Sequence, residues 1–173
     1  MKTIYSWRPE RIYRRPERKK LLAFAESAAE TAGSGIRGVL SLSWVSEKEM
    51  AEINQDYVGH TGSTDVICFD YRQSGAEMPE TEDEEGNVDV EIIVCPAVAA
   101  REAAKRALPY SREIALYLVH GLLHAAGQDD LQPEKKRIMR RREASALGKL
   151  EKKFNLATLF PEPENNTDGN HRS

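Results

Sequence analysis

Cysteine and long apolar runs are both scarce in this sequence. The two cysteines, Cys68 and Cys95, are too few for a disulfide framework, and we expect both to be buried free thiols in neighbouring strands. No segment approaches the ~20 consecutive apolar residues that a membrane span needs, and no N-terminal apolar stretch resembles a signal peptide. We therefore expect a soluble cytoplasmic protein that has no membrane partner.

Internal repeats and domain boundaries are not evident in the sequence either. Apolar residues make up 40% of the 173 residues, which is enough for one core in a chain of this length. From Pro161 onward the sequence has no apolar residue. We expect a single domain over residues 1–160 and a disordered tail over residues 161–173.

The net charge of -3 is distributed unevenly along the chain. Basic residues cluster in segments 8–20 and 135–153, whereas acidic residues concentrate in segment 77–91. Such a chain can present a basic face to phosphate groups while it stays acidic overall, although solvated helix surfaces and an acidic loop would give the same pattern. The candidate RNA-binding residues are Lys135, Lys136, Arg140 and Arg141.

Hydrophobic periodicity and helix-end signals predict a mixture of strands and helices. The serines that alternate with apolar residues in segment 38–45 predict a half-buried strand. The acidic segment 72–87 is predicted to form the tip of an antiparallel hairpin. The predicted strands cover residues 3–7, 38–45, 65–71 and 88–95. The predicted helices cover residues 17–32, 47 to about 54 or 57, 96–108, 111–126 and 133–154.

Two histidines, His120 and His124, lie four residues apart on the predicted helix 111–126. At ~100° per residue, positions i and i+4 share one face of a helix, so both imidazoles can reach a single metal ion. Gly127 suits a helix end, after which Asp130 can return toward the ion as a third ligand. The alternative is that Asp130 caps the next turn and leaves Asp129 to bind.

The residue after the first histidine bears on the chemistry of such a site. Zinc proteases with two histidines on a helix carry a glutamate there as the general base, and this chain has Gly121. Peptide hydrolysis is therefore disfavoured. His60, in a loop that contains two glycines, is a further candidate for a catalytic role, as is Asp129.

Three segments resemble one protein family in the same order along the chain. They are residues 120–130 with the two histidines, Gly127 and the aspartate pair, residues 57–69 with Thr64-Asp65 after Asn54, and residues 90–95. In these segments the sequence resembles the YbeY family of metal-dependent endoribonucleases and rRNA maturation factors. The resemblance departs at two positions, because Asp130 stands where the family has a histidine and Val58 where it often has a basic residue.

The resemblance implies an α+β fold in which a small, mixed, four-stranded sheet is flanked by about five helices. The metal ligands would lie on and just after a central helix, as His120, His124 and Asp130. One Zn²⁺ is the expected cofactor, with another divalent metal as the alternative, and a carboxylate ligand should lower the Lewis acidity of the ion.

The implied activity is metal-dependent hydrolysis of RNA by an endonuclease that prefers single strands. Its implied roles are small-subunit rRNA processing, within ribosome biogenesis, and ribosome quality control. The expected partners are ribosomal RNA and ribosomal proteins of the small subunit. The alternative is a non-catalytic ribosome-assembly factor in which the metal serves the structure.

Overall fold

The computed structural model describes residues 1–59, 61–72 and 87–164. Within them the chain forms four strands and six helices. The strands are β1 (Lys2–Arg8), β2 (Val39–Val45), β3 (Val66–Asp70) and β4 (Val88–Val94). The helices are α1 (Arg18–Ala32), α2 (Glu47–Ile53), α3 (Pro96–Arg106), α4 (Tyr110–Ala125), α5 (Pro133–Glu151) and α6 (Leu156–Leu159). A π-helical turn, Asn54–Val58, continues α2.

The sheet is mixed and has the strand order β1-β2-β4-β3. Strand β2 pairs in parallel with both β1 and β4, whereas β3 pairs with β4 in the antiparallel sense. The predicted α+β class, the mixed four-stranded sheet and the antiparallel β3–β4 pair are therefore confirmed. The acidic hairpin tip lies in segment 73–86, outside the described residues. Strand β3 forms one edge of the sheet, and this edge borders the candidate site.

Two apolar clusters cover the two faces of the central strands. The larger cluster joins the sheet to α1, α4 and α5 through residues such as Leu42, Ile92 and Leu118. The smaller cluster lies under α2 and α3 and includes Met50 and Val98. The prediction of a half-buried β2 is wrong, because helices cover this central strand on both faces and even Ser43 is buried.

Local sequence signals fix several helix ends as predicted. The Ser46 side chain accepts a hydrogen bond from the Glu49 N–H at the start of α2, and Pro96 opens α3. Gly33 ends α1 with φ of 68°, a conformation that glycine adopts without steric cost. Helix α5 ends at Glu151 rather than residue 154, and the short helix α6 was not predicted.

The C-terminal end of the described chain returns to the N-terminal segment. The Glu164 N–H donates to the Ile12 carbonyl at 2.9 Å, and the Glu162 carboxylate accepts from the Tyr110 N–H at 3.0 Å. Two residues of the predicted tail, Glu162 and Glu164, therefore contact the domain, and residues 165–173 lie outside the described part. Of the helices in the described ranges, none combines the length and apolar character required to span a bilayer.

Candidate metal centre

Helix α4 carries the two histidines of the candidate site. Most of this helix is buried, and the two histidine side chains are partly exposed. Its apolar side chains, including Ile114, Leu118 and Leu122, are almost fully buried in the larger cluster. The side chains of His120 and His124 retain 24% and 32% exposure. The core therefore fixes the helix, while its last two turns present both imidazoles to an open cleft.

The structure brings the two imidazoles and the Asp130 carboxylate, the three predicted ligands, close together. The Nε2 atoms of His120 and His124 lie 2.9 Å apart. The carboxylate of Asp130 lies 3.9 Å from the first and 3.7 Å from the second. Among the residues described, these three offer ligand atoms that all fall within 4.8 Å of one another.

The opposite ring nitrogens are held by hydrogen-bond acceptors. His120 Nδ1 lies 2.6 Å from the Glu143 carboxylate, and His124 Nδ1 lies 3.0 Å from the Gln128 carbonyl. A carbonyl or carboxylate acceptor assigns the proton to Nδ1, which leaves a lone pair on each Nε2. Two lone pairs aimed at one point fit a shared cation, so the donor set suits a divalent metal.

Glu143 is a site residue that the sequence did not reveal. It lies 23 residues after His120, on α5, within a segment dominated by basic residues. Burial lowers the pKa of His120, but the hydrogen bond and the charge of Glu143, together with the charge of Asp130, outweigh it and leave the pKa raised. Only the packing of α5 against α4 brings this carboxylate to the ring.

Asp129 points away from the histidines. Its carboxylate accepts from the Leu131 N–H at 2.8 Å and from the Lys135 ammonium at 2.7 Å. The Lys135 hydrogen bond, followed by that of the amide, lowers the pKa of Asp129 from its ordinary value. An aspartate held in this way is a weak base, and of the two candidate aspartates only Asp130 faces the imidazoles.

Gly121 lies between the two histidines and directly above β4. A Cβ atom at this position would come within 3.0 Å of Ile92 Cδ1 and Cγ2. Glycine therefore lets α4 approach the sheet, and a side chain as large as the glutamate of a zinc protease would meet Ile92 first. The Gly121 carbonyl also accepts a hydrogen bond from the Cys68 thiol at 3.3 Å, whose pKa burial raises to about 12.

Two concave regions adjoin the histidines. The first, here called the edge cleft, has a volume of about 440 Å³ and lies between β3, the π-helical turn and α4. It is lined by residues that include Val58, Cys68, His120 and His124. The second, here called the cation cavity, has a volume of about 380 Å³ and lies between α4 and α5. His120 borders both regions, so a ligand in either would lie next to the metal site.

The cation cavity divides the predicted RNA-binding residues into two pairs. Lys136 and Arg140 line it, and neither forms an ion pair with any residue in the described ranges. Lys135 is instead paired with Asp129 outside the cavity, and Arg141 is exposed on α5 away from its lining. The sequence did not separate these pairs because it contains no information on which side of α5 faces the site.

A buried acid forms the far wall of the cation cavity. The Glu113 side chain is 2% exposed and accepts from Arg106 at 3.0 Å. Burial raises the pKa of Glu113, against the opposing charge of Arg106. Glu113 and Glu143 are thus each engaged by a partner, and the remaining charged side chains of the lining are Asp65, Asp130, Lys136 and Arg140. His60 lies outside the described residues, and its predicted role remains a prediction.

Comparisons with known proteins agree with the resemblance seen in the sequence. Residues 12–151 match the family described as Endoribonuclease YbeY. A protein named Endoribonuclease YbeY from Desulforamulus reducens is 31% identical over 136 residues, which are 76% of this chain and 88% of that protein. Its namesake from Alcanivorax borkumensis is 34% identical over 138 residues, which are 78% of this chain and 75% of the relative.

A solved structure shows the same fold. The solution structure of TM1509 from Thermotoga maritima superimposes with a TM-score of 0.53 at 24% identity, and the match covers 86% of this chain and 91% of that chain. The family match includes strands β2, β3 and β4, the histidine helix and α5, and so every residue of the candidate metal centre. The chain belongs to the Endoribonuclease YbeY family.

Proposed function

We propose that this protein is a metal-dependent endoribonuclease that cleaves single-stranded regions of small-subunit ribosomal RNA during ribosome maturation. The observation that carries the proposal is the convergence of His120 Nε2, His124 Nε2 and the Asp130 carboxylate next to a cavity that Lys136 and Arg140 line. Family membership favours this enzyme over a non-catalytic assembly factor.

The donor set supports one divalent ion, with Zn²⁺ as the first candidate. Two imidazoles and one carboxylate are a common set in catalytic zinc sites, where a fourth position stays open for water. When bound, such an ion lowers the pKa of its water toward ~7 and polarises a phosphoryl oxygen. The carboxylate of Asp130 adds negative charge to the site, which also suits harder divalent metals.

The role of Glu143 and of the Gln128 carbonyl in this proposal is to orient the rings. Each accepts a hydrogen bond from Nδ1, and so places the proton of the neutral ring on Nδ1 and leaves Nε2 as the nitrogen for the ion. Asp129 has a positioning role, because it ties the turn that carries Asp130 to Lys135 at the start of α5. We retain His60 as a candidate for proton transfer.

Lys136 and Arg140 are proposed to hold a phosphate of the RNA backbone beside the reacting one. They lie one helical turn apart on α5 and border the same cavity as His120 and Asp130. Phosphate contacts of this kind contribute affinity without sequence preference and weaken as salt increases. Lys135 and Arg141 then contribute to RNA binding only through the positive electrostatic potential of the basic helix.

Ribosomal RNA is the proposed substrate, and ribosomal proteins of the small subunit are proposed partners at the site of cleavage. A substrate of this kind implies that the protein acts in the cytoplasm.

The experiment that tests the proposal measures metal content and RNA cleavage in the same preparations. The parent protein and His124→Ala are analysed for bound metal, and both are incubated with a single-stranded ribosomal RNA fragment and with its duplex. We expect the parent to carry metal and to cut the single strand, and His124→Ala to lose both properties while its circular dichroism stays unchanged. Equal cleavage by the two proteins would refute the proposal, and an unfolded variant would indicate a structural metal.

A further inference from the structure

The outer edge of β3 presents main-chain groups to the edge cleft. In the antiparallel ladder, Cys95 N–H donates to the Asp65 carbonyl and Tyr71 N–H donates to the Asp89 carbonyl. Hydrogen-bonded pairs occur at every second residue of such a ladder, so Ile67 and Phe69, which lie between Asp65 and Tyr71, also exchange hydrogen bonds with β4. The intervening residues Val66, Cys68 and Asp70 direct their N–H and C=O groups away from β4.

The edge strand borders the cleft with its main chain. The side chain of Ile67 packs in the smaller cluster on the opposite face of the sheet, yet Ile67 lines the cleft together with its neighbours Val66 and Cys68. The main-chain N–H and C=O of Cys68 have no hydrogen-bond partner among residues 1–59, 61–72 and 87–164. A donor and an acceptor thus lie side by side in the cleft next to His120.

On either side of Cys68, carboxylate side chains accept hydrogen bonds from main-chain N–H groups. The Asp65 carboxylate accepts from the Val66 N–H at 2.8 Å, and the Asp70 carboxylate accepts from the Arg72 N–H at 3.1 Å. These contacts engage the outward N–H groups of Val66 and Arg72, which an added peptide strand would need, and natural edge strands avoid strand addition by such means. Between these two engaged N–H groups the edge forms a short window centred on Cys68.

We infer that this window binds the hydrogen-bonding edge of one unpaired nucleobase, next to the phosphate that the metal site cleaves. The inference rests on the proposed function. Each RNA base carries a neighbouring donor and acceptor on its pairing edge, and single-stranded RNA is recognised through such edges. The volume of about 440 Å³ falls within the range of small-ligand pockets.

The base site explains a preference for single strands. In a duplex the pairing edge is already occupied by the complementary base, so it is not available to Cys68. Because every base offers a donor and an acceptor, the main chain of Cys68 selects unpaired over paired RNA rather than one base over another. Apolar side chains at the mouth of the cleft, such as Val58, contact the face of the bound base.

The main-chain contact is tested by ¹⁵N NMR of the full chain with two probes that cannot be cleaved, uridine monophosphate and its N3-methyl derivative. The methyl group removes the donor of the pairing edge and leaves the phosphate unchanged. We expect uridine monophosphate to shift the Cys68 amide and the methylated probe to bind about tenfold more weakly, the effect of one or two neutral hydrogen bonds. Equal effects of both probes on Cys68, or no effect of either, would overturn the inference.

A matched pair of tryptophan variants tests the cleft in the RNA cleavage assay. Val58 and Leu108 are exposed to a similar degree, 43% and 39%, but only Val58 borders the cleft. We expect the indole of Val58→Trp to occupy the space in which the base binds and to raise KM for a single-stranded RNA about tenfold, and Leu108→Trp to leave KM unchanged. Equal KM values for the two variants would contradict the inference. RNA cleavage that does not depend on His124 would refute the proposed hydrolase. The NMR experiment detects binding without cleavage, so it tests the base site separately.

Discussion

Replacement of Glu143 by alanine should weaken metal binding without a change in any metal ligand. The Glu143 carboxylate accepts from His120 Nδ1 at 2.6 Å, and the two side chains are only 15% and 24% exposed, so water screens the contact weakly. Outer-shell partners of this kind contribute about 10–100-fold to metal affinity. At 1.4 kcal/mol per factor of ten, the loss corresponds to about 1.4–2.8 kcal/mol, which matches the ~1.5–3 kcal/mol of a hydrogen bond to a charged group.

The assay is competition for Zn²⁺ between the protein and a chromophoric chelator at neutral pH. Glu151→Ala is the control, because Glu151 lies on the same helix and pairs with Arg112 rather than with the site. We expect Glu143→Gln to fall between the parent and Glu143→Ala, since the amide oxygen still accepts the Nδ1–H but carries no charge. Affinities of Glu143→Ala and Glu151→Ala within twofold of each other would refute the assigned role of Glu143.

Four further predictions use substitutions or reagents at other residues. Asp130→Asn should abolish stoichiometric metal binding, and Asp129→Asn should retain it. The metal content of each variant is measured after gel filtration. Loss of metal in Asp129→Asn alone would reverse the assignment of the third ligand. Gly148→Ala should stabilise α5 by about 0.5–1 kcal/mol because a Cβ there meets no atom within 4 Å. Gly121→Ala should be less stable than Gly148→Ala by about 1–3 kcal/mol in urea unfolding, since its Cβ crowds Ile92. Cys68 is half-buried rather than buried as the sequence predicted, but its raised pKa of about 12 should make it react with a disulfide reagent at pH 8 far more slowly in the folded protein than in denaturant. Equal labelling rates in the two states would contradict the raised pKa.

The histidine pair and most elements were predictable because their signals are local. The i, i+4 spacing of His120 and His124 sets a shared face through helix geometry alone, and Ser46, Pro96 and Gly33 fix helix ends through their own backbone chemistry. The number and mixed character of the strands followed from the order of strand and helix segments together with the resemblance.

Contacts between distant segments could not be predicted in this way. The choice between Asp129 and Asp130 depends on a turn whose direction is set by the Leu131 amide and by Lys135. Glu143 meets His120 only because α5 packs against α4, and the same packing directs Lys136 rather than Lys135 toward the site. The burial of Ser43 in β2 shows a similar limit, because alternation in sequence does not reveal that helices cover both faces of the sheet.

The contact between Gly121 and Ile92 sets how far the imidazoles extend from the sheet. Both histidines flank this glycine on one rigid helix, so the volume of one aliphatic side chain in β4 determines the depth of the metal site. A smaller residue at position 92 would let α4 sink and withdraw the ligands from the cleft, although that residue never meets RNA. Packing in the core thus sets the position of the proposed metal ligands. A substitution in the core can therefore change the cleavage rate although it does not alter any residue of the proposed site.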